Sequence, residues 1–181
     1  MVALVVLVVV VRLLPHTPNF TPVAAVALFS GYFFGRIPKS IIPVFIGMIL
    51  SDAFLGFYDI RIMAIVYGCL FAPVFLSRFL QGQMLPARIA ICALASSTVF
   101  FLTTNFAVWM FSGMYSHTFN GLRDCFVAAI PFARFTFMGD FFWTTVLFST
   151  YGVAVYLKNH YLNPRMPVCL ESAHIVGATD C

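Results

Sequence analysis

Apolar residues come in long, nearly unbroken runs, and short clusters of turn-forming residues separate them. The first run, residues 2–14, ends at PHTPNFTP, where three prolines and an asparagine interrupt any regular helix. The second, 23–34, stops at GRIPK, and the third, 40–55, stops at GFYD. A fourth covers 60–80 and ends at QGQMLP; a fifth covers 87–111. Residues 112–123 are polar and turn-rich, and 124–130 are apolar but too short to cross a bilayer. The last run, 135–157, leads into a polar tail. Runs of this kind predict helices in lipid rather than a soluble core.

Crossing a hydrocarbon core of about 30 Å takes about 20 helical residues. A chain of 181 residues therefore holds at most five or six crossings. The expectation is an all-α, polytopic membrane helix bundle of about six transmembrane helices, the first two short, spanning residues 1–158, with a polar C-terminal tail at 159–181. If the first two runs instead form a hairpin entering from one side, four full crossings remain, and both termini still share a side. Pro43 and Pro73 lie within runs and predict kinks, since neighbouring helices can satisfy the freed carbonyls. Small residues at Gly31/Gly35, Gly47/Ser51 and Ala93/Ser97, each pair four apart, predict close helix packing within the chain.

Composition sharpens the solvent argument. The chain is 62% hydrophobic and only 9% charged, with a mean hydropathy of +0.99, which excludes a soluble enzyme and a disordered tail. The net charge of +4 comes from scattered basic residues, so no nucleic-acid partner is expected. Those residues read as membrane-flanking anchors. With the N-terminus inside, Arg36, Lys39, Arg78, Arg88, Lys158 and Arg165 fall on the inner side, against Arg12, Arg61, Arg123 and Arg134 outside. This balance places both termini on the cytoplasmic or equivalent inner side. The five cysteines, Cys69, Cys92, Cys125, Cys169 and Cys181, show no metal-ligand spacing, and three of them lie in apolar runs as small hydrophobes. No basic segment precedes the first run and no small-residue cleavage pattern follows it, so it reads as a membrane helix.

Ionisable groups inside a membrane are costly, and each marks a candidate site. Asp52 lies near the outer end of the third run and Asp140 near the outer end of the sixth. Asn105 and Trp109 share a face of the fifth at the same level. The loop with Asn19 and the single histidines His16 and His117 fall on that side too, whereas the inner halves are featureless. A proton or ion relay needs polar groups across the full depth, so the distribution argues for a pocket open to the outside. The plainer readings are that Asp140 pairs with Arg134 or Arg123, that Asp52 caps a neighbouring helix, and that Trp109 is an interfacial belt residue. No nucleophile triad, phosphate loop or metalloprotease motif occurs. The two aspartates lack the sequence contexts of an intramembrane aspartyl protease, so no catalytic residue, metal or cofactor is assigned.

The segments RLLPHTPNFTPVAAVALFSGYFFG, PVFIGMILSDAFLGFY, TTNFAVWM and VAAIPFARFTFMGDFFWTTVLF, spread over residues 12–156, resemble a family of small bacterial membrane transport proteins of unknown function. That family is in turn similar to the substrate-capturing S components of energy-coupling factor (ECF) vitamin transporters. The resemblance implies a six-helix bundle with cytoplasmic termini and a vitamin-like small molecule held near the outer surface. By position it implies ligand contacts at Asn19, Phe20, Thr21, Asp52, Asn105, Trp109 and Asp140. S components dock their membrane partner through Ala-xxx-Ala on the first helix, where this chain has only Ala3. Two functions follow as expectations: a non-enzymatic binding and transport subunit working with other membrane subunits, or an accessory structural subunit of a larger membrane complex that retains a transporter-like fold.

Overall fold

The structure is a computed structural model that describes residues 1–15, 17, 19–81 and 85–162. His16, Arg165, Cys169, Cys181 and most of the 159–181 tail lie outside the described residues. Helices α1 (Val2–Leu13), α2 (Val23–Phe34), α3 (Ile37–Leu55), α4 (Ile60–Cys69), α5 (Phe71–Leu76), α6 (Pro86–Phe111) and α7 (Phe119–Leu157) follow in order, with a 3-10 turn at Ser77–Leu80 and a π turn at Lys158–Leu162. Among the described residues there is no β-strand.

Four segments are long and apolar enough to cross a membrane: Ile37–Leu55, Ile60–Leu80, Pro86–Phe111 and Phe119–Tyr161. The α1 and α2 helices have 12 residues each, which at 1.5 Å per residue is about 18 Å, well short of a full crossing. Only α2 is internal. Val23, Ala25, Val26, Ala27, Leu28, Ser30 and Gly31 of α2 are all buried, as expected of a helix that is apolar all round. It is covered by α3, α5 and the 3-10 turn.

Small residues permit these approaches. At Gly31 an added Cβ would run into the Ser77 side chain of the 3-10 turn. At Gly47 it would stand 2.8 Å from Val8 Cβ, so α1 lies directly against α3. Gly35 ends α2 in the left-handed conformation (φ 64°) and its N–H bonds the Gly31 carbonyl. The chain then enters α3 after Arg36, with Pro38 in the first turn. The Ser30 hydroxyl donates to the Ser40 carbonyl at 2.7 Å, fastening the two helices across that corner.

Two boundaries differ from expectation. The fourth run is divided at Leu70 between α4 and α5, because Pro73 lacks the amide and crowds the carbonyl of Cys69 one turn back; Pro43, by contrast, sits inside an uninterrupted α3. The larger difference is α7, one helix of 39 residues that absorbs the segment 124–130 and continues through Pro131. Residues 1–148 form one compact unit, and the second begins at Ser149. In that second unit the Tyr156 ring stacks on His160 at 5.7 Å.

Candidate functional site

The helix ends that carry the loops 14–22 and 56–59 bring together two polar groupings. The first is built on Arg12, in the last turn of the valine-rich α1. Its Nη2 lies 2.5 Å from Asp52 Oδ1, its Nη1 meets the Met48 thioether, and the Tyr67 hydroxyl donates to Asp52 Oδ2 at 2.8 Å. Asp52 is 1% exposed, so both carboxylate oxygens are committed to α1 and α4. A buried carboxylate needs such partners. This replaces the helix-capping reading of Asp52, and it is Arg12, not Asp52, that lines the cavity. Beside it, in the loop after α3, burial pushes the Tyr58 phenol up from its ordinary pKa, with the Asp52 charge adding and Arg12 opposing.

The second grouping is Asp140, which is 5% exposed. Its Oδ2 accepts a hydrogen bond from the Ser97 hydroxyl at 2.6 Å, joining α7 to α6. The expected pairing with Arg134 is not formed: that guanidinium sits 4.7 Å from the ring of Phe135. Among the described residues no ion pair involves Asp140. Immediately before it, Gly139 lets the loop backbone at Phe20 approach, an added Cβ there standing 3.0 Å from Phe20 Cα.

Two cavities adjoin here, the first of them lined by both groupings. One, of about 290 Å³, is lined by Arg12, Asn19, Thr21, Tyr58, Thr136 and Asp140 together with apolar side chains that include Phe100. The other, of about 390 Å³, is lined among others by Asn105, Thr104, Tyr115 and Cys125. Asn19, Tyr58, Val66, Phe100 and Thr136 line both. The backbone positions Asn19 in the left-handed region (φ 65°), which asparagine tolerates better than most residues. Seen from the sequence expectations, Asn19, Thr21 and Asp140 share the first cavity and Asn105 joins Asn19 on the second. Asn105 also donates to its own helix at the Phe101 carbonyl, 2.7 Å away.

Phe20, Asp52 and Trp109 line neither cavity. Phe20 packs on Phe142 with ring centroids 5.7 Å apart. Trp109 donates from Nε1 to the Ser116 carbonyl at 2.9 Å and has the His117 ring 5.5 Å away, so both residues tie the turn after α6 to that helix. Arg12, Tyr58, Phe100 and Thr136 were not among the expected contacts. For Thr136 a signal was present: Cys125, Ala129, Phe132, Thr136 and Asp140 recur at helical spacing along α7, a stripe visible only if the helix runs through Pro131. Among the described residues no cluster of three metal-ligating side chains exists.

The family model described as Family of unknown function (DUF6580) matches residues 1–166. No curated protein and no solved structure matches the chain.

Proposed function

We propose that this chain, which belongs to that family of unknown function and so takes no activity from its name, is a non-catalytic membrane subunit that binds a small molecule inside its helix bundle. The observation that carries the reading is the pair of cavities sharing five residues, with polar groups from the loop 14–22, α1, α6 and α7 converging on largely apolar walls. Small-ligand sites have this character, concave and mostly apolar with a few placed polar groups. The combined space is of the order that small ligands occupy, about 300–1,000 Å³. Among the described lining residues no nucleophile is paired with a base, and capture is the chemistry that they support.

The placement at one end of the bundle fits uptake. The lining draws on the end of α1, the start of α2 and the end of α3. With the termini inside, as the basic residues favour, that end faces outward. A polytopic, S-component-like arrangement, in which α1 and α2 complete a six-helix bundle and partner subunits drive release, is part of the same proposal. The accessory structural reading draws on the Arg12–Asp52–Tyr67 lock, whose members are committed to holding α1, α3 and α4 together.

The two separate in one experiment. The protein is extracted in a mild detergent, and co-purifying subunits and small molecules released on denaturation are identified by mass spectrometry. A stoichiometric small molecule, lost when Asn19→Leu and Thr136→Leu fill the shared wall, is the expected result. Recovery within a large complex, with no small molecule and no response to those substitutions, refutes capture and leaves the structural role.

A further inference from the structure

We propose that the molecule held in the first cavity is a small organic cation, and that Asp140 is its counter-ion. The inference rests on the binding reading above and adds the ligand's charge to it. Among the described residues two acidic side chains are buried, Asp52 and Asp140, and only one of them has a cationic partner within the chain. Asp52 is matched by Arg12, so that pair contributes no net charge. Asp140 is buried to the same degree, lines the cavity, and has a single neutral donor, the Ser97 hydroxyl, on Oδ2. Among the described residues no cation reaches Oδ1. A carboxylate isolated from water at this depth is costly, and a charged partner that enters the cavity relieves that cost.

The surrounding wall suits a cation. Phe100 and Tyr58 present aromatic surface to the same space, and ring faces attract positive charge. Asn19, Thr21 and Thr136 add polar groups able to accept from an ammonium or to orient a polar substituent. One helical turn beyond Asp140, the buried Thr144 hydroxyl also lacks a partner among the described residues. The α7 face built from Thr136, Asp140 and Thr144 thus retains unused hydrogen-bonding capacity. With Asp52 matched by Arg12, no second free carboxylate among the described lining residues is left for another cationic centre, which favours a monocation.

The test uses the full chain in detergent or nanodiscs and matched triads on one skeleton: 2-phenylethylammonium, 2-phenylethanol and 3-phenylpropanoate, with their pyridine and imidazole counterparts. Binding is read by thermal shift and by native mass spectrometry. The expected result is that the cationic member of a triad binds at least about tenfold more tightly than its neutral and anionic partners, as a hydrogen bond to a charged group implies. Asp140→Asn, which keeps the shape and the Ser97 contact, removes that preference. Ser97→Ala leaves the carboxylate in place and keeps it, which covers the case in which the Asn variant folds poorly. Preference for a neutral or anionic member, or cation selectivity that survives Asp140→Asn, overturns the cation inference while small-molecule capture stands. Failure of every member of every triad overturns the cation inference, and it overturns capture as well only where no small molecule is released on denaturation of the purified protein.

Discussion

Removing the Arg12 guanidinium tests whether the ion pair between α1 and α3 is a structural fastening. In Arg12→Met the apolar length of the side chain is kept, but Asp52, whose side chain is 2% exposed, is left with Tyr67 alone. Breaking a buried pair from one side costs about 3–5 kcal/mol, which for a chain of this size corresponds to about 6–20 °C in Tm. The reverse change, Asp52→Asn, strands a guanidinium that is 16% exposed at the cavity wall. There water can reach it, so the cost is smaller, about 1–3 kcal/mol. The double variant strands neither charge and is expected within about 1–2 kcal/mol of the parent, far less than the two single losses combined. Unfolding is followed in detergent with a thiol-reactive fluorophore reporting on the buried Cys92 and Cys125, in a background where Cys69, Cys169 and Cys181 are serine. Additive losses in the double variant would falsify the fastening and return Asp52 to the list of ligand contacts.

Three further outcomes follow from particular contacts. Gly47→Ala drives a methyl group against Val8 Cβ and Cγ1, each 2.8 Å away, and is expected to cost about 1–3 kcal/mol, eased only in part by adding Val8→Ala, which removes Cγ1 but keeps Cβ; Gly68→Ala, which meets nothing within 4 Å, serves as the unaffected control in the same melting assay. Trp109→Phe breaks the Ser116 bond and is expected to loosen the 112–118 turn, read by amide exchange, while leaving ligand affinity unchanged; a loss of affinity would place Trp109 in the site. At the start of α4, Asp59 accepts from the Arg61 amide and guanidinium, which lowers its pKa from 3.8 to about 2. A depressed carboxylate stabilises its element above the ordinary value and loses that effect as pH falls through the folded one, so Arg61 amide protection, corrected for intrinsic exchange, is expected to decline between about pH 4 and 2. Constant protection over that interval contradicts the capping role.

Hydropathy made the helices legible because each apolar run is bounded by residues with a strong local conformational preference. Gly35 ends α2 in a left-handed turn, and Asp59 opens α4 with its side chain on the Arg61 amide. Where a local rule misled, packing had overridden it. By hydropathy the segment 124–130 stood apart from a last run starting at 135, yet α7 takes in both and passes through Pro131. On the α7 face in this stretch Cys125 reaches the Asn105 carbonyl at 3.5 Å and Phe126 packs against Phe101 with centroids 5.8 Å apart. Contacts with α6 hold the helix across the proline, and no window along a single run contains that information. The role of the 12-residue helices was hidden for a related reason: short length argued against spanning, but only the burial around α2 shows it to be the element the others cover.

The two aspartates show where sequence stops short of a site. Each lies in an apolar run, near the end of that run and at a similar depth by counting residues, so each has the same claim on a ligand. What separates them is the partner, and it is distant along the chain in both cases: Arg12 is 40 residues from Asp52 and Ser97 is 43 residues from Asp140. A charged partner turns the first into a fastening between helices, and a neutral one leaves the second with charge to offer. Arg12, counted at first only as an outer anchor, therefore separates the two: by pairing with one carboxylate and standing on the cavity wall, it leaves the other as the buried carboxyl without a cationic partner among the described lining residues. The function of such a cavity depends on which ion pair the fold completes and which it leaves for a visitor to complete.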